Sequence, residues 1–286
     1  MVRTLCLCNE VIRELDFPRQ CAFARAVGYD GLEIAPFTLF DPPDFPPARV
    51  AEIRTAAAAE GIAISGLHWL LAAPEGLSIT SGDPAVAART LDFGRRLVGL
   101  CADLGGACLV HGSPAQRRLK PGREEEGRAR AAAYFAAMGE AAAGAGVLYL
   151  IEPLAPSDSD FINSVGEAAA IIDAVGSPGL ATMLDCAAAA RAGFDVAAEL
   201  SRFVEAGAVR HVHFNDPSGR GPGEGDLAFA PILDALEDSL YSGTAAVEPF
   251  VYEPDGMAAA ARAAGYLRGL MERRSAGARR AVAPAA

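Results

Sequence analysis

Val-Leu-Tyr-Leu-Ile-Glu, at residues 147–152, is a short apolar run that ends in a carboxylate. Three later runs also end in an acidic or imidazole side chain: Leu-Ala-Thr-Met-Leu-Asp at 180–185, Val-Arg-His-Val-His at 209–213 and Thr-Ala-Ala-Val-Glu at 244–248. Short apolar runs separated by helix-length segments are typical of the buried strands of a parallel sheet. A charged side chain at the end of such a strand is costly to bury unless it is paired or binds a metal ion. The second half of the chain therefore predicts a parallel sheet with polar chemistry at one edge.

The same alternation of strand and helix extends over the whole chain. Strands are predicted at 3–8, 31–35, 62–68, 107–111, 147–152, 180–185, 209–214 and 244–249. Helices are predicted at 17–27, 47–60, 84–104, 124–144, 164–175, 194–207, 229–240 and 256–271. Eight successive strand–helix units, in a chain close to the usual barrel length of about 250 residues, favour an α/β fold with a single (β/α)8 TIM barrel.

The barrel is predicted to form one domain, residues 1–271. Residues 272–286 lose the apolar periodicity and are expected to form a disordered C-terminal tail. The alternative architecture is an open doubly wound sheet, which is expected to carry a glycine-rich phosphate turn after its first strand. The corresponding segment here, Cys6-Leu7-Cys8-Asn9-Glu10, contains no glycine, so the closed barrel is preferred.

Composition excludes several classes of function. The 286-residue chain has a formal net charge of -11, which opposes nucleic-acid binding because that requires a basic surface. No apolar run reaches the roughly 20 residues of a membrane span, and the N-terminus lacks a secretion signal. A cytoplasmic protein that binds neither nucleic acid nor membrane is therefore predicted. Its six cysteines form no CxxC pair and are expected to be buried thiols.

The barrel fold brings together side chains that are distant in sequence, because the carboxyl ends of all its strands meet at one rim. The residues expected to converge there are Glu152, Asp185, His213 and Glu248. Three carboxylates and one imidazole form a divalent-metal site. Such a donor set favours Mn²⁺, Mg²⁺ or Co²⁺, with Zn²⁺ as an alternative.

Several motifs in the second half resemble a known family. They are Ile151-Glu152-Pro153-Leu154, Leu184-Asp185, His211-Val212-His213-Phe214-Asn215-Asp216, Gly221-Pro222-Gly223-Glu224-Gly225-Asp226 and Val247-Glu248-Pro249-Phe250. Together they are similar to the xylose isomerase-like TIM barrels, the sugar isomerase and epimerase superfamily, and most of all to its ketose 3-epimerase branch. In that branch the metal-binding histidine precedes the Pro-Gly loop by nine residues, as His213 precedes Pro222. The resemblance thus implies that His213 is the ligand and that His211 lies behind it.

The resemblance also implies an activity: a metal-dependent sugar isomerase or epimerase that acts on a ketose or keto-sugar through an enediolate. One divalent ion, with Mn²⁺ as the leading candidate, would chelate the substrate and polarise its carbonyl. Glu152 and Glu248 would serve as the base and acid that move a proton between the two faces of the substrate. Asp185 and His213 would only anchor the ion. A homo-oligomer, either a dimer or a tetramer, is a further expectation from the resemblance.

Other residues near strand ends and in the rim loops are expected to contact the sugar. They are His68, Trp69, His111, Asp158, His211 and Arg220. Trp69 is the single tryptophan, and aromatic faces are suited to stacking against sugars. Glu33 is instead expected to hold neighbouring strands together through hydrogen bonds.

Departures from the ketose 3-epimerase pattern leave the substrate open. That branch has a substrate-binding histidine three residues after the ligand aspartate, where this chain has Ala188, and an arginine where it has Gly219. A metal-dependent lyase or dehydratase acting on a keto-sugar or cyclitol is therefore the alternative, since it shares the enediolate. The remaining alternatives are an endonuclease IV-like phosphodiesterase, which would need a histidine at Ala188 and at Ala228, and a non-catalytic sugar-binding barrel.

Overall fold

The computed structural model describes residues 4–282 and shows a closed barrel of eight parallel strands. The strands are β1 (Thr4–Cys8), β2 (Gly31–Ile34), β3 (Ala63–Leu67), β4 (Cys108–His111), β5 (Leu148–Ile151), β6 (Leu180–Asp185), β7 (Val209–Phe214) and β8 (Thr244–Val247). β1 pairs with β2 on one side and with β8 on the other, which closes the sheet. The predicted (β/α)8 fold is confirmed, and each strand lies within its predicted range.

Helices surround the sheet. They are α1 (Phe17–Val27), α2 (Pro47–Glu60), α3 (Pro84–Leu104), α4 (Glu124–Ala145), α5 (Val165–Val175), α6 (Cys186–Arg191), α7 (Val196–Glu205), α8 (Phe229–Asp238) and α9 (Gly256–Val282). The side chains of Asp83, Ser164 and Asp195 accept hydrogen bonds from the first turns of α3, α5 and α7, which explains where these helices begin. α1 and α2 end at Gly28 and Gly61, whose φ angles of 99° and 64° are left-handed and favour glycine.

Two helices differ from the sequence-based prediction. The six-residue α6 is not predicted, because it is too short to show an apolar period; it begins where Asp185 Oδ1 accepts a hydrogen bond from Ala188 N at 2.6 Å. α9 continues to Val282, past the predicted start of the tail at residue 272. Its composition, rich in alanine, arginine and glutamate, favours helix. The rest of the predicted tail, residues 283–286, lies outside the described residues.

Side chains along each strand alternate between the inside of the barrel and the layer beneath the helices. Inside the barrel, Cys108, Val110, Leu150 and Met183 form a small apolar cluster. The outward side chains pack with the helices in a much larger core. This alternation decides which strand-end residues can reach the centre of the rim.

Two predictions from composition concern cysteines and membranes. All six cysteines are buried and unpaired, as predicted. Among the helices within residues 4–282, none combines the length and the apolar character needed to cross a membrane.

Candidate metal centre and active site

The ends of the last four strands meet at the carboxyl rim of the barrel. In chain order they carry Glu152 after β5, Asp185 at the end of β6, His213 within β7 and Glu248 after β8. One oxygen or nitrogen atom from each residue lies within 4.8 Å of those of the other three, and all four residues are buried. The structure therefore brings together the four residues predicted as metal ligands.

Glu33 of β2 orients the imidazole of His213. Burial opposes a charge on Glu33, but the adjacent His211 and His213 hold the pKa of its carboxyl well below the ordinary value. The ionised carboxylate can only accept, so His213 Nε2 donates to Glu33 Oε1, at 3.0 Å. Glu33 thus reaches across the barrel to β7, which corrects the expectation that it joins neighbouring strands.

This contact fixes the tautomer of His213 and leaves Nδ1 facing the carboxylates. Nδ1 lies 2.9 Å from Glu248 Oε2, 3.7 Å from Glu152 Oε1 and 4.0 Å from Asp185 Oδ2. Although it is buried, Nδ1 makes no hydrogen bond. Glu248 and Glu33 raise the pKa of His213 well above its ordinary value, so a cation that binds here would replace the proton on Nδ1, which has the position of a metal ligand.

Asp185 is held by contacts to both of its carboxylate oxygens. Oδ1 accepts a hydrogen bond from the backbone N–H of Ala188 and Oδ2 accepts one from Asn215 Nδ2, each at 2.6 Å. Burial and the charge of Glu248 raise the pKa of the Asp185 carboxyl to about 6. The position of this carboxylate is therefore set both by the start of α6 and by the segment that follows β7.

Glu152 occupies a space that the end of β4 leaves open. A Cβ atom added to Gly112 would lie 2.1 Å from Glu152 Oε2, so a side chain there would displace the carboxylate. The buried Arg117 donates from Nη1 to the backbone oxygen of Glu152 at 2.7 Å. Burial, together with the charges of Glu248 and Asp185, raises the pKa of the Glu152 carboxyl to about 8 against the opposing effect of His213.

These observations fit a bound divalent cation. Three carboxylates share a buried space, and desolvation and repulsion there disfavour the ionised forms of Glu152 and Asp185. A cation at their centre removes that penalty. Three oxygen donors and one imidazole suit Mn²⁺, Mg²⁺, Co²⁺ and Zn²⁺.

A cavity of about 370 Å³ opens over the ligands. It is lined by His68, Trp69, Gly112, Ser113, Pro114, Glu152, Leu154, Asp158, Asp185, Ala188, Arg191, Pro217, Ser218, Gly219, Glu248 and Phe250. Trp69 and Ser113 have φ angles of 52° and 28°, and strained backbone of this kind clusters at functional sites. The rings of Trp69 and Phe250 meet edge to face, with centroids 6.3 Å apart, and give the cavity an apolar wall.

A larger groove of about 510 Å³ lies elsewhere, between α2 and α3. Within the described part of the chain, no cluster of metal-ligating side chains lies in this groove. The chemistry therefore belongs to the smaller cavity at the rim.

Three of the six predicted sugar contacts line the rim cavity: His68, Trp69 and Asp158. The buried His68 makes a hydrogen bond through Nε2 with Glu10 Oε2 at 2.7 Å. Burial alone would lower the pKa of His68, but the carboxylates of Glu10 and Glu33 raise it to about 9. His68 therefore presents a positive charge beside the carboxylate ligands.

His111 points away from the cavity, so its predicted contact with the sugar is corrected. Since Cys108 and Val110 face the inside of the barrel, His111 faces outward. Its Nδ1 lies 2.7 Å from the hydroxyl of Tyr149, and its ring packs edge to face against Phe135 of α4, at 5.3 Å between centroids. Burial lowers the pKa of His111 to about 3, with a smaller contribution from Arg117.

His211 and Arg220 also lie outside the cavity lining. His211 faces inward two residues before His213 and is fully buried beneath it, with Nε2 2.8 Å from Glu33 Oε2 and Nδ1 2.7 Å from Thr244 Oγ1. Arg220 forms an ion pair with Glu253 at 2.5 Å. Neither residue is retained as a sugar contact. His211 is buried one layer beneath the rim, and Arg220 points toward the loop that carries Glu253.

Arg191 and Ser113 line the cavity although neither is among the six residues predicted to contact the sugar. Ser113 lies two residues beyond the end of β4, where His111 is the more obvious candidate from the sequence. Arg191 ends α6, and its position in the cavity lining can be recognised only once that helix is known. The signal in the sequence is its spacing of three from Ala188, since residues three apart share a helix face.

Comparison with known proteins agrees with this geometry. The family described as xylose isomerase-like TIM barrel matches residues 21–270. L-ribulose 3-epimerase from Mesorhizobium japonicum is 30% identical over 241 residues, which cover 83% of this chain and 77% of that protein. D-psicose 3-epimerase from Enterocloster bolteae is 25% identical over 247 residues, which cover 83% and 78% respectively.

A solved structure of L-ribulose 3-epimerase superposes with a TM-score of 0.83 at 25% identity, with 100% of both chains covered. These relatives are enzymes by name, in agreement with the predicted class of protein. The family match covers the barrel from α1 into α9 and includes all four candidate ligands. The chain belongs to the xylose isomerase-like TIM barrel family.

Proposed function

We propose that this protein is a divalent-metal-dependent ketose 3-epimerase in which Glu152 and Glu248 form the acid–base pair. The observation that carries the proposal is the convergence of four ligand-type side chains within 4.8 Å beneath a sugar-sized cavity. The names of both curated relatives, L-ribulose 3-epimerase and D-psicose 3-epimerase, favour reaction at carbon 3 of a ketose.

The residues that would hold the ion are Glu152, Asp185, His213 through Nδ1, and Glu248. Mn²⁺ is the leading candidate, with Mg²⁺, Co²⁺ and Zn²⁺ as alternatives. When bound, the ion supplies Lewis acidity that polarises the substrate carbonyl and makes the adjacent C–H bond more acidic.

The two glutamates are placed to work from different sides of a substrate. Glu152 follows β5 and Glu248 follows β8, three strands further around the barrel. One carboxylate removes the proton from carbon 3 and leaves an enediolate, and the other, as a carboxylic acid, returns a proton to the opposite face. In the reverse reaction the two residues exchange roles.

Asp185 and His213 are poorly placed to transfer protons. Both oxygens of Asp185 already accept hydrogen bonds at 2.6 Å, and His213 Nε2 is bound to Glu33. Their role is to fix the ion. The predicted homo-oligomer and the cytoplasmic location remain predictions.

The direct test is proton exchange at carbon 3. Wild-type protein loaded with Mn²⁺ is incubated in D₂O with D-psicose, D-fructose, L-ribulose and D-tagatose, and the products are followed by NMR. Deuterium should enter carbon 3 together with inversion there. Glu152→Gln and Glu248→Gln should each lower the exchange rate by about 10²- to 10⁴-fold, which is the usual contribution of general acid–base catalysis to a rate.

Glu52→Gln is the matched control, because Glu52 is exposed on α2, where it pairs with Arg49. It should exchange like wild type, and metal content should be measured in all variants so that a lost ion is not mistaken for a lost base. Unchanged exchange in both active-site variants would refute the acid–base assignment. Loss of water from the substrate instead of inversion would point to a dehydratase.

A further inference from the structure

We propose that Cys8, Glu10, His68 and Glu248 form a second divalent-cation site, which takes a thiophilic ion such as Zn²⁺ or Co²⁺ and shares Glu248 with the first site. The inference goes beyond the proposed function, because Cys8, Glu10 and His68 have no part in the acid–base mechanism. It concerns the binding of a metal ion rather than the reaction of a sugar.

The second cluster lies where the first and last strands of the barrel meet. Cys8 ends β1, Glu10 lies in the short 3-10 helix that follows (Asn9–Ile12), and His68 follows β3. Glu248 follows β8, which pairs with β1. One ligand atom from each of the four residues lies within 4.8 Å of those of the other three, the same limit that the first site meets. The first half of the barrel thus contributes three ligand-type side chains to the rim.

The donor atoms differ in kind from those of the first site. The cluster offers the sulfur of Cys8, an imidazole nitrogen of His68 and carboxylate oxygens of Glu10 and Glu248. Sulfur favours Zn²⁺ and other thiophilic ions, whereas oxygen donors favour Mn²⁺ and Mg²⁺. Four protein ligands that are all buried are typical of a closed, tetrahedral zinc site. Mn²⁺ is therefore expected to bind only at the first site, which contains no sulfur.

Two polar atoms of this cluster are buried without a hydrogen-bond partner among the described residues. Glu10 is only 8% exposed, and its Oε2 lies 2.7 Å from His68 Nε2. The other oxygen, Glu10 Oε1, makes no hydrogen bond, and neither does His68 Nδ1. A buried carboxylate oxygen that lacks a partner carries a desolvation penalty. A cation coordinated by the carboxylate would offset that penalty, which the contact with His68 leaves in place.

Negative charge is concentrated around both sites. Five buried carboxylates lie in them or beside them: Glu10, Glu33, Glu152, Asp185 and Glu248. When all are ionised, the cation of the first site offsets two of the five charges. A proton on His68 would offset a third, and a cation that binds to His68 takes the place of that proton. The electrostatic field at the second cluster therefore favours a further cation.

Glu248 and the two histidines make room for both ions. A carboxylate has two oxygens, and the ions of two-metal sites lie about 3.5–4 Å apart. Glu248 Oε2 lies 2.9 Å from Nδ1 of His213, the imidazole of the first site. The rings of His68 and His213 meet edge to face, with centroids 6.2 Å apart. Each ion can therefore have its own imidazole while Glu248 serves both.

The test uses Co²⁺, because its absorption spectrum reports a sulfur ligand. Metal-free protein is titrated with Co²⁺, and equilibrium dialysis gives the number of ions bound per chain. Wild type should bind two ions and develop the thiolate-to-cobalt charge-transfer band in the near ultraviolet. Cys8→Ala should bind one ion and lose the band. Glu10→Gln should weaken the binding of the sulfur-bound ion by more than about 100-fold, since loss of even an outer partner costs 10- to 100-fold.

Two further variants serve as controls. Cys21→Ala is matched to Cys8→Ala, because Cys21 is equally buried but lies on α1, in no cluster of metal-ligating side chains within the described residues. It should bind two ions and keep the band. Asp185→Asn removes a ligand of the first site alone, so it should bind one ion and also keep the band. Circular dichroism establishes that each variant is folded.

A second measurement needs no substitution. X-ray absorption at the zinc edge, on wild type loaded with Zn²⁺, should show a sulfur ligand at about 2.3 Å. A spectrum with only oxygen and nitrogen ligands would overturn the proposal. So would a single Co²⁺ per chain in wild type, or a charge-transfer band that survives in folded Cys8→Ala. Glu10 and His68 would then form only a structural ion pair.

The second site and the proposed function can fail separately. If wild type shows the sulfur band but exchanges no carbon-bound proton with Mn²⁺, the second site stands and the proposed epimerisation fails. If wild type exchanges the proton at carbon 3 but shows no sulfur band, the epimerisation stands and the second site is refuted.

Discussion

The two halves of the barrel use polar side chains at their strand ends in different ways. β5 to β8 direct Glu152, Asp185, His213 and Glu248 at a common centre. β2 instead directs Glu33 at the back of His213, and β4 directs His111 away from the rim. One half supplies the candidate ligands, and the other supplies support, packing and part of the cavity lining.

His111 and His213 show the contrast most clearly. Each ends or nearly ends an apolar strand, and each is fully buried. Burial opposes a charge on both, but Glu248 and Glu33 raise the pKa of His213 well above the ordinary value, whereas the pKa of His111 falls to about 3. The face of the strand, rather than its end, decides whether such a histidine can bind a metal.

Substitution of these two histidines should give the largest contrast. His213→Ala removes a ligand and should weaken Mn²⁺ binding by more than about 100-fold, since loss of even an outer partner costs 10- to 100-fold. His111→Ala should keep Mn²⁺ affinity and lose about 2–4 kcal/mol of stability, because it leaves a cavity and removes the 2.7 Å hydrogen bond to the Tyr149 hydroxyl, which keeps its 3.2 Å contact with the Tyr134 hydroxyl. Metal titration and chemical unfolding of both variants measure this. Similar metal affinities in the two variants would remove the distinction between the strand faces.

Gly112, the residue that follows β4, tests the same distinction. Gly112 faces the centre of the rim, so the methyl group of Gly112→Ala should push Glu152 aside. A displacement of about 1 Å at a catalytic group costs roughly 100-fold in rate, and we expect a loss of that size in carbon 3 exchange. Gly144→Ala in α4 is the matched control, because an added Cβ there meets nothing within 4 Å. Full activity of Gly112→Ala would show that Glu152 does not need this position.

The fold and the convergence of the four candidate ligands could be predicted because their signals are local. An apolar run that ends in Glu152 or Asp185 marks both a strand and its rim end, and the closed order of the sheet follows from the repeated units. The faces of β4 are harder to predict. Both faces of a buried parallel strand are apolar, so the sequence of β4 shows no alternation of polar and apolar residues. It therefore does not indicate that the side chain of His111 points outward.

The helix after β6 could not be predicted for a different reason. α6 has six residues, fewer than two turns, so no apolar period reveals it. The contribution of Arg191 to the cavity depends on that helix and on the pairing of its side chain with Asp158. The reach of Glu33 across the barrel to His213 likewise depends on tertiary geometry.

A smaller effect is expected from substitution of Glu33. This residue lies on β2, in the first half of the barrel, and supports His213 in the second half. Glu33→Gln keeps the shape of the side chain but replaces a charged acceptor by a neutral one, which weakens the hydrogen bond that His213 Nε2 donates. Mn²⁺ affinity should fall about 10- to 100-fold, as for other outer partners of metal-binding histidines. Calorimetry on protein shown to be folded by circular dichroism measures this, with Glu52→Gln as control. An unchanged affinity would mean that Glu33 only fills the barrel.

The smallest effect concerns pH in the metal-free protein. Because burial raises the pKa of Glu152 from 4.5 to about 8, the folded state binds a proton that the unfolded state releases in this range. Stability should therefore fall as pH rises from 4.5 to 8, by at least about 1 kcal/mol, or 2–4 °C in Tm. Saturating Mn²⁺ should abolish this dependence, because the ion stabilises the ionised carboxylate. Thermal unfolding with EDTA and with Mn²⁺ measures both, and a Tm that rises over this range in EDTA would contradict the assignment.

The central claim is that one cation binds where the last four strands end. Anomalous diffraction at the manganese edge, from crystals grown with Mn²⁺, tests it most directly. We expect one strong peak, about 2.0–2.3 Å from one oxygen each of Glu152, Asp185 and Glu248 and from His213 Nδ1. A peak bound elsewhere, or no peak at a saturating concentration of Mn²⁺, would contradict the account.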